Sequence, residues 1–138
     1  MDSAYALTPF LAWLVAGVLK FAINSIRAGQ PAFGLIGCGG LPSNHSAIVS
    51  STAALIAFRE GPAHPAFGVA VTLAFIVMLD AGSLRREVGR QAAAINALTA
   101  GAKDLQPLRE RMGHTHLEIA AGIVVGIAVA GAATVAGL

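Results

Sequence analysis

Two histidines and a carboxylate are the residues best placed to do chemistry. His114 and Glu118 are four apart, so one helical turn puts them on the same face. Glu118 can then accept the ring N–H of one His114 nitrogen, and the other nitrogen is free to attack. A competing role is local, because Thr115-His116-Leu117-Glu118 also fits a capping box in which Glu118 reaches back to the helix start. His45 follows Gly37-Cys38-Gly39-Gly40-Leu41-Pro42-Ser43-Asn44, and glycines let a backbone fold closely around a phosphate. Two histidines among basic residues, with no cluster of metal ligands, point to phosphoryl transfer through a phosphohistidine. One neutral ring attacks phosphorus. A second, protonated, gives its proton to the departing alcohol, while cations and N–H groups neutralise the phosphoryl oxygens.

Several cations could serve that anion. Lys20 and Arg27 are seven apart and share a helix face, although basic residues also mark helix ends by snorkelling. Asp80 closes the apolar run Phe75–Leu79, and an acid at such depth is usually paired, with Arg85 or Arg86 as partner. Arg86 and Arg90, four apart, form one edge, and Arg109 and Arg111 flank Glu110 in what also reads as a solvated charge run. The single cysteine, Cys38, excludes an intrachain disulfide and a multi-cysteine metal site. No cofactor is implied.

The elements that hold these residues are membrane helices. Of 138 residues, 56% are hydrophobic and 12% charged, with a mean hydropathy of +0.72. A soluble domain usually carries about 25% charged residues. Apolar stretches run over about 7–26, 46–58, 66–84 and 117–138. A spanning helix needs about 20 apolar residues. The first, third and fourth qualify, and the short second one must be tilted, buried by its neighbours or extended by the loop before it. The sequence therefore predicts one domain over 1–138, an all-α bundle of about four transmembrane helices. The first stretch has no basic segment before it and reads as a retained helix, not a cleaved signal.

If all four stretches cross, Lys20, Arg27, Arg85, Arg86, Arg90, Lys103, Arg109 and Arg111 lie on one side with His45, His114 and His116. Only Arg59, beside Glu60, and His64 lie on the other. The positive-inside rule makes the site side cytoplasmic, in a plasma membrane, although arginines that serve an anion site produce the same count. The helix starts near His45 and Thr115 both open on that side, where their N–H groups attract anions. A net charge of +2 is too small to argue for nucleic acid. Gly122, Gly126 and Ala130 recur at four-residue spacing in the last helix, with Ala133 one turn on. Small residues so spaced let helices approach closely, either within the chain or in a homodimer.

These blocks resemble a known family. Gly40-Leu41-Pro42-Ser43-Asn44-His45-Ser46-Ala47 is similar to a glycine-methionine-proline-serine-serine-histidine-serine-alanine block of the divergent type 2 phosphatidic acid phosphatases, a branch related to acid phosphatases and vanadium haloperoxidases. Ile76–Ala81 with Leu84-Arg85-Arg86, Gly89-Arg90-Gln91-Ala92 and Ile95-Asn96 look like its second block. Leu108-Arg109-Glu110 and Gly113–Ile119 look like its third. The matches cover roughly residues 20–126.

The wider superfamily's first signature, lysine, six residues, arginine and proline, fits Lys20 and Arg27 with Ala28 for the proline. Its proline-serine-glycine-histidine fits Pro42, Ser43 and His45, with Asn44 for the glycine. Its last, serine-arginine, five residues, histidine, three residues, aspartate, fits His114 and Glu118, but Leu108 stands where the arginine belongs. The resemblance implies His114 as nucleophile, Glu118 as its orienting acid and His45 as general acid. Lys20, Arg27 and Ser43 would grip the phosphate, with Arg86 as the favoured arginine and Arg109 as the alternative. Asp80, Arg85 and Arg90 would support them. It implies catalysis without a metal on a lipid or polyprenyl phosphate. Two rivals are a non-enzymatic transporter or assembly factor for phosphorylated lipids, which would not need His114, and a vanadate-dependent haloperoxidase, which could use the same residues.

Overall fold

The computed structural model describes residues 3–32, 40–101 and 105–138. Gly37, Cys38 and Gly39 of the glycine loop, and Lys103, lie outside them. All the regular structure among the described residues is helical: α1 (Ala4–Ala28), α2 (Asn44–Arg59), α3 (Pro65–Leu79), a π-helical turn (Asp80–Leu84), α4 (Arg85–Leu98) and α5 (His116–Val135).

Among the described residues, three helices are long and apolar enough to cross a membrane: Ala4–Ala28, Pro65–Leu98 and His116–Val135. The second is continuous through α3, the π turn and α4. At 1.5 Å per residue its 34 residues span about 51 Å, against about 30 Å of hydrocarbon. The apolar α3, 15 residues long, covers about 22 Å, so together with the 5-residue π turn it matches the hydrocarbon thickness, and the polar α4 extends past it on the site side. Its start is fixed locally, since His64 caps it through Nδ1, which accepts the Ala66 N–H at 3.2 Å, and Pro65 takes the first helical position.

The short second stretch, α2, is the hub, and α1, α3 and α5 surround it. Ser46, Ala47, Val49, Ser50, Ser51, Ala53, Leu55 and Ile56 are all buried. Of the alternatives open for it, burial by its neighbours holds. Ser50 and Ser51 spend their hydroxyls on backbone carbonyls, as in Ser50 Oγ to the Ser46 carbonyl at 2.5 Å, and Ser46 Oγ donates to Ser43 Oγ at 3.1 Å, so these buried hydroxyls are all satisfied.

The bundle is small inside and large outside. α1 buries Ala4, Thr8, Ala12 and Ala16, one residue per turn, while Phe10, Trp13 and Val18 face outward. α5 buries Gly122, Gly126, Ala130 and Ala133, with Val124 outward. Lipid is as apolar as leucine, so close approach of small residues, not burial of large ones, drives helix association. This corrects the dimer reading of the Gly122/Gly126 stripe. A Cβ at Gly122 would meet the Ser43 carbonyl and, at 2.8 Å, Ser46 Cβ; one at Gly126 would meet Ser50 Oγ and, at 2.5 Å, the Ala47 carbonyl. The stripe is occupied by the chain's own α2 and cannot also be a contact between copies.

At the end of the bundle away from the histidines, Tyr5 donates to Glu60 Oε1 at 2.6 Å, and Arg59 lies over the Tyr5 ring and donates to the Leu138 carbonyl.

Candidate active site

The site forms where the starts of α2 and α5 meet the π turn. Ser43 caps α2, its Oγ accepting the Ser46 N–H at 3.3 Å, and its own N–H donates to the Glu118 carbonyl at 2.9 Å. That one bond ties the two helix starts together. The Leu41–Pro42 peptide before it is cis. Ser43 and Ser46 are completely buried.

His114 precedes α5 and is held from both directions. Its N–H donates to the Ala81 carbonyl in the π turn at 2.9 Å. Its Nδ1 lies 3.2 Å from Glu118 Oε2. The same Oε2 accepts the Thr115 N–H at 2.9 Å, and Thr115 Oγ1 accepts the Glu118 N–H at 3.2 Å. The two roles weighed for Glu118 therefore coexist: one carboxylate closes the capping box and accepts the imidazole proton. With Nδ1–H donating to Glu118, Nε2 keeps its lone pair. The His114 side chain is only 8% exposed. Burial, with the charges of Lys20 and Arg85, holds its pKa below the ordinary 6.5, although the bond to Glu118 pulls the other way.

Gly113 makes this placement possible. Its φ is +89°, and a Cβ would come within 3.0 Å of Arg86 Cγ and 3.1 Å of the Arg86 backbone nitrogen. Only glycine suits both that dihedral and that contact.

His45, in the first turn of α2, faces His114 with ring centroids 6.0 Å apart and planes tilted by 59°. Arg85 Nη2 stands 3.5 Å from His45 Nε2, and Arg85 Nε is 3.5 Å from Asp80 Oδ2. Lys20, half-buried on α1, adds its charge to both rings. His45, His114, Glu118, Ser43, Lys20, Arg85 and Asp80 thus converge.

The arginine beside the histidines is Arg85, where the sequence favoured Arg86. Arg86 Nε donates to the Gly82 carbonyl at 2.6 Å, and the side chain turns over Gly113 into a separate groove of about 570 Å³ shared with Ser83, Glu87, Arg90, Glu110 and Arg111. The reason is the π turn. In an α-helix, residues five apart are about 140° apart around the axis. Here the Arg85 N–H bonds the Asp80 carbonyl five residues back, which brings Arg85 over Asp80 and swings Arg86 away. Arg90 is exposed and paired with Glu87. Arg109 Nε donates to the Arg111 carbonyl at 3.3 Å, along its own segment. Leu108, in the place of the family's arginine, is clamped by Asn96, which donates to its carbonyl and accepts its N–H, each at 2.8 Å. Arg27 is exposed in the last turn of α1, two turns beyond Lys20.

Sequence reading missed Asn24, whose amide lies 3.8 Å from where Gly40 would carry a Cβ, at a Gly40 φ of +128°. Its signal was available: Lys20, Asn24 and Arg27 follow the i, i+4, i+7 spacing of one helix face. Among the described residues no group of three His, Cys, Asp or Glu side chains converges as metal ligands.

An all-α membrane protein that presents two facing histidines, one bonded to a carboxylate, among cations at the bundle's edge fits the PAP2 superfamily to which its sequence match points. More narrowly, residues 1–129 match the model of the Divergent PAP2 family, and the chain belongs to that family. It is similar to the uncharacterized membrane protein YuiD of Bacillus subtilis (strain 168), with 32% identity over an alignment covering 88% of this chain and 87% of that protein. No solved structure matches it significantly.

Proposed function

We propose that the protein is a membrane phosphatase that hydrolyses a lipid or polyprenyl phosphate through a phosphohistidine on His114. The observation that carries this reading is the His114 ring. It is buried, its Nδ1 is bonded to Glu118 and the His45 ring lies 6.0 Å away, so a nucleophile and a proton donor flank one space. Nε2 of His114 attacks phosphorus, and the phosphorus–oxygen bond to the lipid alcohol breaks. His45 supplies the proton that the leaving alkoxide takes. Lys20, Arg85 and the N–H groups at the start of α2 meet the phosphoryl oxygens, with Ser43 shaping that start. Water then releases phosphate from His114.

Placement supports a lipid-borne substrate. The site lies at the end of α3, where the apolar segment gives way to polar α4, so a headgroup can enter while its tail stays in lipid. The charge count favours a cytoplasmic site face.

Purified protein offered a panel of lipid monophosphates and diphosphates should release phosphate. The folded His114→Ala variant should lose several powers of ten in rate. Near wild-type release by His114→Ala would refute the assignment. A transporter or assembly factor would bind the same lipids and release nothing.

A further inference from the structure

The nitrogen of His45 that must deliver a proton is the one that Arg85 contacts. Arg85 Nη2 stands 3.5 Å from His45 Nε2. A guanidinium only donates, so the ring nitrogen it addresses must offer a lone pair. The imidazole proton then sits on Nδ1, which is buried and has no hydrogen-bond partner among the described residues. A resting site in this state holds a neutral His45 whose outward nitrogen has nothing to give. Burial first, then Arg85 from α4, the facing His114 and Lys20 from α1, oppose a further positive charge there, and Asp80 favours it.

Resting on the phosphatase reading above, we infer that the substrate charges its own general acid, with Arg85 as the exchanging contact and Asp80 as its tether. A monoprotonated phosphoryl group enters between the rings. The Arg85 Nη2 contact passes from His45 Nε2 to a phosphoryl oxygen. The P–O–H proton moves to the vacated Nε2, and its electron pair stays on oxygen. His45 is now an imidazolium beside a phosphoryl dianion. When His114 Nε2 bonds to phosphorus and the bond to the alkoxide oxygen breaks, the same proton goes from His45 to that oxygen. His45 returns to its resting form. The chain therefore keeps no acidic proton in the site until a phosphate is there to use it.

The π turn supplies the hinge. Asp80 Oδ2 holds Arg85 at Nε, the inner end of the guanidinium, and leaves Nη2 to swing. An α-helical register would point Asp80 and Arg85 to different faces. Asp80 is thus a positioning residue, acting through Arg85.

Nitrogen-15 NMR of histidine-labelled full chain in nanodiscs tests this, with orthovanadate as the probe. At rest His45 should be the neutral Nδ1–H tautomer, and vanadate should convert it to the doubly protonated ring. A resting Nε2–H tautomer, or a neutral His45 beside bound vanadate, would overturn the inference and leave the phosphatase reading standing. Vanadate that perturbs neither His45 nor His114 would overturn both. Asp80→Asn should lose the tautomer preference and about tenfold in kcat with little change in KM, and Asp80→Glu should restore both. A wild-type tautomer in folded Asp80→Asn would remove the tether. If Asp80→Asn does not fold, the wild-type resting and vanadate spectra still decide.

Discussion

Gly122→Ala should damage both stability and catalysis through one methyl group. The added Cβ would press on the Ser43 carbonyl and lie 2.8 Å from Ser46 Cβ. Ordinary contact begins near 3.5 Å, so the start of α5 must retreat from α2 by roughly 1 Å. Overpacking of this kind costs about 1–3 kcal/mol. The retreat also stretches the 2.9 Å bond from the Ser43 N–H to the Glu118 carbonyl, the link that sets His114 and Glu118 against His45. A displacement of about 1 Å at reacting groups can cost about 10²-fold in rate. Alanine gains about 0.8–1.0 kcal/mol of helix propensity over glycine. Gly131→Ala supplies the control, because it makes the same gain in the same helix, and its Cβ would meet only Phe58 Cε2 at an ordinary 3.9 Å. The difference between the two variants isolates the contact. Thermal melts in detergent and phosphate release should place Gly122→Ala clearly below Gly131→Ala in both. Equal melting and equal turnover would refute the claim that the α2–α5 approach sets the site.

The pH dependence has a definite sign. Burial holds His114 below its ordinary 6.5, so the neutral nucleophile persists into mild acid and the acid limb of kcat/KM should fall below that pH. Because the folded chain binds this proton less readily than the unfolded one, stability should also decline as pH drops below 6.5. Glu118→Gln removes the contact that raises the His114 pKa, so it should lower turnover and move the acid limb further down; an upward move would contradict the geometry. Phosphate release should survive EDTA and be inhibited by orthovanadate, and loss to chelator restored by magnesium would sink the histidine mechanism. A cysteine at Ala100, in a Cys38→Ser background, should resist an impermeant thiol reagent in intact cells, and ready labelling would place the site face outside.

The sequence by itself determined the membrane class, the three spans and the pairing of His114 with Glu118. Each rests on local information: unbroken apolar length for the spans, and a spacing of four that any helix converts into proximity. The Divergent PAP2 resemblance was legible for the same reason, since its blocks are short and contiguous. What required the tertiary structure was every choice between neighbours. Arg85 and Arg86 are indistinguishable as letters, and an insertion of π register after Leu79 decides which one meets His45. Gly122 and Gly126 announce a close helix contact, but spacing does not name the partner helix. The partner is α2, because that short serine- and alanine-rich segment must be buried on several sides to sit in a membrane at all. Likewise the stretch Leu105–Met112 shows no periodicity, and its path follows from Asn96, which binds the Leu108 backbone from twelve residues away. Periodicity records which face a residue takes, and the helix packing decides what that face meets.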